Sequence, residues 1–310
     1  MENRILVFGD MMVDSYQVVT PQKVSQEAPV LVNQHINKHS IPGGAANAAI
    51  QMQTLFEVTP DVLGIVGGRL YTPVRSNKQR IVCDYAGMTL LSLLSKAKIN
   101  KVLFPQDDWA TIEKCRVIDT SGQQLMRIDT EPQVGPSEIV RKQILDWLAD
   151  HSKDYDTVLI SDYGKGTCFP QALRVGIEWF RGSFVVINGK PENAPYYKGA
   201  DVVVMNLDEA QRTVGKPMSF TDDLAFTLNA KVGAPVIVTA GPHGMIWCQG
   251  GNTTVHIPAA PTPSQIVDIT GAGDILCAAI ASKGKPVSEG VLHWAAEKVS
   301  KAICNRRVRL

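Results

Sequence analysis

An α/β fold built on a mainly parallel sheet is predicted by three features of this 310-residue sequence. Short apolar runs at Arg4–Asp10, Thr157–Ile160, Phe184–Asn188, Asp201–Asn206 and Pro235–Thr239 have the pattern of buried strands. Helical stretches alternate with them, which implies parallel strands with helices on both faces. Asp14, Asp162, Asn206, Thr239 and the loop ending at Asp274 all fall at the carboxyl ends of strands, where such sheets place their ligands.

In chain order, the first strand ends in Gly9-Asp10, and Asp10 and Asp14 are expected in the loop after it. A carboxylate there can bond sugar hydroxyls or simply cap the loop. Val18–Ser40 breaks into partly alternating pieces, expected as exposed strands outside the main sheet. Ile41–Ile50 leads paired glycines into a helix of very small residues. Such a helix either admits a ligand close to its backbone, with Asn47 offering donor and acceptor, or packs tightly as core. Leu63–Gly67 is the next strand. Gly68–Asp84, carrying Arg69, Arg75, Lys78 and Arg80, has no period and is expected as a loop or a poorly ordered insertion. Met88–Ala97 is a helix. Cys115–Asp119 and Gln124–Asp129 flank a turn as a hairpin. Pro136–His151 is an amphipathic helix with Ile139, Ile144, Trp147 and Leu148 inward. Ala172–Arg181 and Asp208–Val214 are helical, and Ala240–Gly244 turns into a strand at Met245–Cys248.

Composition narrows the class. The chain is 45% hydrophobic and 20% charged with a net charge of +1, so neither nucleic acid nor a membrane surface is an expected partner. No run is long enough to span a bilayer and no signal peptide precedes the first strand, so the cytoplasm is expected. Six scattered cysteines without a Cys-x-x-Cys pair predict reduced thiols. The length suits one domain over 1–310.

The most informative stretch is Asp268-Ile269-Thr270-Gly271-Ala272-Gly273-Asp274, followed by the apolar run Ile275–Ala281. It predicts a tight loop opening into a buried helix, whose start suits an anion such as phosphate. Asp274 in the first turn then has two readings. It accepts a proton from a hydroxyl attacking phosphorus, or it merely stabilises the helix start. Asn206-x-x-Glu209 is similarly double: an acid ordering water around Mg²⁺ between phosphates, or a helix cap. Lys165, between Gly164 and Gly166, can contact a phosphate, though alone it is a weak signal. No Walker motif and no Gly-x-Gly-x-x-Gly after the first strand are present.

These stretches together resemble the ribokinase (PfkB-type) carbohydrate kinases. Gly43-Gly44 with Asn47 is similar to the first family signature and Asp268–Asp274 to the second. Asn206-x-x-Glu209 is similar to the metal–phosphate motif, and Thr239 with Gly241 and Gly244 to the nucleotide loop. Gly9-Asp10-x-x-x-Asp14, Val24–Val30, Gly43–Ala49, Gln123–Asp129 and Ser161–Gly166 look like the kinases of bacterial ADP-heptose synthesis. Those enzymes phosphorylate D-glycero-D-manno-heptose 7-phosphate at O1 using ATP. Many are fused to a nucleotidylyltransferase, a second activity not expected here.

The resemblance implies a ribokinase-like fold with a small β lid from about 16–40 and 112–131, which shields the reaction from water and supports a homodimer. It implies Asp274 as the base and Gly271, Ala272 and Gly273 as the anion hole for the γ-phosphoryl group. Asp14, Gly43, Gly44, Asn47 and Lys165 are implied at the sugar, and Asn206, Glu209, Thr239, Gly241 and Gly244 at the nucleotide. ATP and Mg²⁺ are the implied cofactors, the ion held by Asn206 and Glu209 through water, and the need for a monovalent cation is left open. Three departures stand out. An Asp-Pro-Lys-Gly-like element reads Asn188-Gly189-Lys190-Pro191, the basic segment 68–84 replaces an acidic one, and Ala295–Leu310 is short and basic without the usual small-residue helix and closing strand. The alternatives are a kinase for another sugar, sugar phosphate or nucleoside, and a catalytically weak sugar-sensing relative.

Overall fold

A computed structural model describes residues 3–71, 80–251, 253–266 and 269–304. The N-terminal half comprises β1 (Ile5–Gly9), β2 (Met11–Val24), β3 (Leu31–Gly43), α1 (Gly44–Phe56), β4 (Asp61–Tyr71), β5 (Arg80–Cys83), α2 (Tyr85–Lys96), β6 (Asn100–Gln106), β7 (Ile112–Asp119), β8 (Gln124–Thr130) and α3 (Glu138–Asp150). There follow β9 (Thr157–Ser161), α4 (Pro170–Trp179), β10 (Phe184–Asn188), β11 (Val202–Asn206), α5 (Leu207–Val214), α6 (Asp222–Val232), β12 (Val236–Thr239), β13 (Met245–Gly250), β14 (Thr253–Ile257), α7 (Ala272–Lys283) and α8 (Glu289–Ile303).

The main sheet has the order β14-β13-β12-β11-β10-β9-β1-β4-β5, with β6 also paired to β4. Its centre, from β12 through β9 and β1 to β4 and β6, is parallel, while β13, β14 and β5 run antiparallel at the edges. This is the ribokinase-like arrangement of sheet and helices that the sequence predicts. Successive side chains of β1 supply two cores. Ile5 and Val7 join one with α1, α7 and α8, and Leu6 and Phe8 join the other with α3, α4 and α6. A second, four-stranded sheet has the order β3-β2-β7-β8 and stands off the main one.

Two helices set up everything that follows. Ala45, Ala46, Ala48 and Ala49 of α1 are buried, as are Ala278, Ala279 and Ala281 of α7. Side chains this small let the two helices pack closely, so their N-termini lie side by side.

Several expectations need correction. Asp14 lies within β2, because β2 starts at Met11 and leaves no loop for it. Gly68–Tyr71 and Arg80–Cys83 are not loop: they pair antiparallel, Leu70 opposite Ile81, each satisfying the other's backbone groups although neither has a strand period of its own. Arg75 and Lys78 lie outside the described residues. In α3, Ile139 is 72% exposed while Val140, Ile144 and Leu148 turn inward. Ser137 caps the start of the helix. The C-terminal stretch forms a helix of mixed residues, α8, which buries Leu292, Ala295, Ala296 and Ala302. Strands β6 and β14 and helix α6 carry weaker patterns and were not foreseen.

Candidate active site

β2, β3, α1, β7, the loop after β9 and the start of α7 converge on one cavity of about 130 Å³ lined by residues that include Asp14, Gly44, Asn47, Tyr163 and Asp274. β2 brings Asp14, and the parallel neighbour β7 lies in register with it, Lys114 beside Asp14 and Arg116 beside Tyr16. Arg116 Nη1 donates to Asp14 Oδ1 at 2.5 Å. Gly43 lies so close that a Cβ there would fall 2.6 Å from Asp14 Oδ2, which leaves no room for any larger residue. Lys114 also lines the cavity, and its ammonium lies over the Tyr163 ring, 5.4 Å from the centroid.

Helix α7 starts at the floor of this cavity. Its cap, Gly271, has φ +75°, and a Cβ would fall 2.6 Å from Asn47 Nδ2. Only glycine takes this backbone shape at no cost and also leaves space for the asparagine. Asp274, in the first turn, is 3% exposed. Its Oδ2 accepts from Asn47 Nδ2 at 2.8 Å, and its Oδ1 accepts from the Tyr163 hydroxyl at 2.5 Å and from Asn188 Nδ2 at 3.1 Å. Burial pushes its pKa up to about 6, opposed by the Tyr163 and Asn47 hydrogen bonds. The charge of Asp14 raises it further, and that of Lys190 lowers it. Asp274 is therefore ionised at neutral pH, yet close enough to titration to accept a proton.

Of the predicted anion-hole amides, that of Ala272 is engaged, donating to the Ile269 carbonyl at 3.1 Å. The remaining first-turn amides lack intrahelical partners by the geometry of any helix start. Asp268 lies outside the described residues.

The loop after β9 is fixed from beneath. Asp10, fully buried, accepts from the backbone N–H groups of Tyr163, Lys165 and Thr167 at 2.8, 3.1 and 2.9 Å. Asp162 is turned away from the cavity and accepts from Tyr197, Asn193 and the Gly164 amide. Burial raises the pKa of both carboxyls, Asp162 to about 6 with the charge of Asp10 adding to it. Lys165 does not line the cavity; its ammonium pairs with Glu131 at 2.7 Å.

A second cluster sits at the ends of β10, β11 and β12. Asn206 caps α5, accepting from the Glu209 amide at 2.9 Å, and Glu209 Oε2 accepts from the Asn206 amide at 2.9 Å. This is the reciprocal capping box. Glu209 Oε1 bonds Lys190 Nζ, which also lies 5.0 Å from the Tyr163 ring centroid. Thr239 is paired in register with Asn206, and the turn at Gly241–His243 closes through Ala240 N–H to the Gly244 carbonyl at 2.9 Å. Lys190 thus joins the two clusters, running from Glu209 through the Tyr163 ring to Asp274.

Asn206 and Glu209 are the groups of this cluster that bear on Mg²⁺. Both Glu209 oxygens already accept a hydrogen bond, one from an ammonium. Among the described residues no group of three or more His, Cys, Asp or Glu could hold a metal. Such a pair fits a hydrated ion carried by phosphates and touched through water, which is how Mg²⁺ is usually held.

Sequence reading missed Tyr163, Asn188 and Lys190. Asn188-Gly189-Lys190 appears in the sequence only as a departure, and Tyr163 is one residue in a loop singled out for its lysine. The usable signal is position, since each follows a strand on the ligand edge.

A profile described as pfkB family carbohydrate kinase matches residues 190–286, which hold Lys190, Asn206, Glu209, Thr239 and Asp274. The bifunctional protein HldE of Trichlorobacter lovleyi is 30% identical over 297 residues, covering 92% of this chain and 56% of that protein. The bifunctional protein HldE of Nitrosococcus oceani is 31% identical over 292 residues, covering 91% and 56%. The chain thus spans about half the length of the curated relatives it matches. Phosphofructokinase-2 from Escherichia coli, solved with substrates and products, superposes with a TM-score of 0.73 at 19% identity, covering 98% of this chain and 94% of that one, a likeness of fold. The profile lies over the second cluster and the start of α7, and the relatives extend the likeness over 91–92% of the chain: the chain is similar to pfkB family carbohydrate kinases across both clusters.

Proposed function

We propose that this protein transfers the γ-phosphoryl group of ATP to a hydroxyl of a sugar or sugar phosphate, with D-glycero-D-manno-heptose 7-phosphate, phosphorylated at O1, as the substrate. The observation that carries the reading is a buried Asp274 at a helix start, lining the same cavity as Asp14. Asp14, held by Arg116, accepts a hydrogen bond from the sugar, and Gly43 and Gly44 let the ring lie close. Asp274 takes the proton of the attacking hydroxyl as its oxygen bonds to phosphorus. The bond from phosphorus to the bridging oxygen of ADP breaks, and the α7 amides hold the phosphoryl oxygens. When bound, Mg²⁺ neutralises phosphate charge, held through water by Asn206 and Glu209. Thr239, Gly241 and Gly244 lie on the nucleotide side. The heptose assignment draws support from the resemblance of Gly9–Asp14, Gly43–Ala49 and Ser161–Gly166 to the heptose kinases and from the likeness to bifunctional HldE proteins. The test is an ATP-consumption screen over sugars, sugar phosphates and nucleosides, with the product identified by ³¹P NMR. Heptose 7-phosphate is expected to give the highest kcat/KM and a 1,7-bisphosphate. Thermal stabilisation by a sugar with no ADP released would replace the kinase with a sugar sensor.

The four-stranded sheet acts in this proposal as a lid that excludes water, and it pairs with that of a second copy. Its strands leave Leu31, Ile36, Met126 and Ile128 between 53% and 54% exposed, an apolar load that suits an interface. Sedimentation equilibrium is expected to give a dimer that Met126→Lys with Ile128→Lys dissociates. A monomeric wild type at micromolar concentration would rule the pairing out.

A further inference from the structure

We propose that Tyr163 is a positioning residue that sets the proton affinity of Asp274 and aims its one open acceptor site at the substrate; this rests on the reading of Asp274 as the base. A carboxylate offers about four acceptor positions, two on each oxygen. On Asp274, among the described residues, Oδ1 is filled by Tyr163 and Asn188, and Oδ2 carries Asn47 alone. A single position on Oδ2 is left for an incoming hydroxyl. The proton therefore arrives on Oδ2, while the Oδ1 donors keep the carboxyl from rotating.

The three donors are not equally placed to do this. The two asparagines are neutral amides, and Asn47 is itself held through its Oδ1 by Gln51 at 3.2 Å. Tyr163 makes the shortest of the three bonds. Its backbone is pinned by Asp10, and the Lys190 and Lys114 ammonium groups lie 5.0 and 5.4 Å from its ring centroid. Cations at the ring draw electron density from the phenol and strengthen its O–H as a donor. Burial and the neighbouring Asp274 charge push the phenol's own pKa well up, so it remains a donor throughout. The other ionisable groups around the carboxyl are Asp14 from β2, Arg116 from β7, Glu209 from α5 and Cys277 one turn along α7. Among the described residues none of these gives Asp274 a hydrogen bond, so Tyr163 is the donor to Asp274 that the lysine pair flanks, and Lys190 also acts on the carboxylate directly through its charge.

The test replaces the hydroxyl and keeps the ring. Tyr163→Phe is expected to move the acid limb of kcat/KM up by about one pH unit, because the ionised form loses a charge-assisted bond. Nucleotide Kd and Tm should stay near wild type. A 3-fluorotyrosine at position 163, a stronger donor of nearly the same size, is expected to move the limb the other way. A ¹³C-carboxyl NMR titration without substrate, assigned by the resonance lost in Asp274→Asn, should show the same opposite displacements of the Asp274 midpoint. If both variants fold and both midpoints match wild type, Tyr163 is packing only and the proposal falls. A wild type that phosphorylates nothing would instead overturn the kinase reading, and the NMR titration would still decide the role of Tyr163.

Discussion

Asp274→Asn is expected to lower kcat by about 10²- to 10⁴-fold, the range a positioned proton acceptor contributes. The amide has nearly the shape of the carboxylate and cannot take a proton at neutral pH. It also removes a negative charge from beside the phosphates, so ATP affinity should hold or tighten. The variant is not silent structurally. The three donors that now meet two carboxylate oxygens would meet one oxygen and one NH₂ group. The Tyr163 hydroxyl can turn to accept, which limits the damage. The matching pH profile has a definite sign. Because burial places the Asp274 pKa at about 6 and the base acts ionised, kcat/KM should be level above that value and fall about tenfold for each further pH unit below it. Residual activity of the variant should show no such limb. Steady-state ADP release at saturating sugar, with nucleotide Kd from calorimetry, checks both parts. A kcat within threefold of wild type would remove Asp274 from the mechanism.

Lys190→Met should cost stability and activity together. Glu209 is 6% exposed and its Oε1 faces the Lys190 ammonium. Taking away one partner of a buried pair leaves the other charge uncompensated. The lysine head retains some solvent contact, which places the expected loss below the roughly 3–5 kcal/mol of a fully buried pair, at about 2–3 kcal/mol. That should appear as a Tm lower by several degrees. The same ammonium lies beside the Tyr163 ring, so the loss is also expected to reach Asp274 and reduce kcat by about tenfold or more. Adding Glu209→Gln should return much of the lost stability and little of the activity, since no buried charge is then left alone. Lys190→Met unfolding at the wild-type urea midpoint would show that the pair contributes nothing.

Much of this architecture was legible in the sequence because buried parallel strands have a pattern of their own. Phe184–Asn188 and Val202–Asn206 are apolar throughout since helices cover both faces of the sheet. The loop at Gly271–Asp274 was legible for a local reason: its glycines, its acid and the apolar helix behind it are consecutive. Errors arose where the deciding contact is distant. The phase of α3 depends on which face meets the sheet, and the strand at Gly68–Tyr71 is a strand only because Arg80–Cys83 lies beside it. The Asn206–Glu209 motif showed a different limit. Its spacing serves a capping box and an outer metal contact equally well, and the structure shows the capping box made.

By itself, then, the sequence determined the α/β class, the helix that starts at Gly271 and the carboxylate in its first turn, since each rests on residues adjacent along the chain. Tertiary structure alone decided what surrounds that carboxylate. Asn47, Tyr163 and Asn188 lie 227, 111 and 86 positions away from Asp274. They meet it because small side chains on α1 and α7 let two helix starts touch, and because β9 and β10 end at the same edge of the sheet. No local pattern encodes that meeting, and it is what sets the proton affinity of the base.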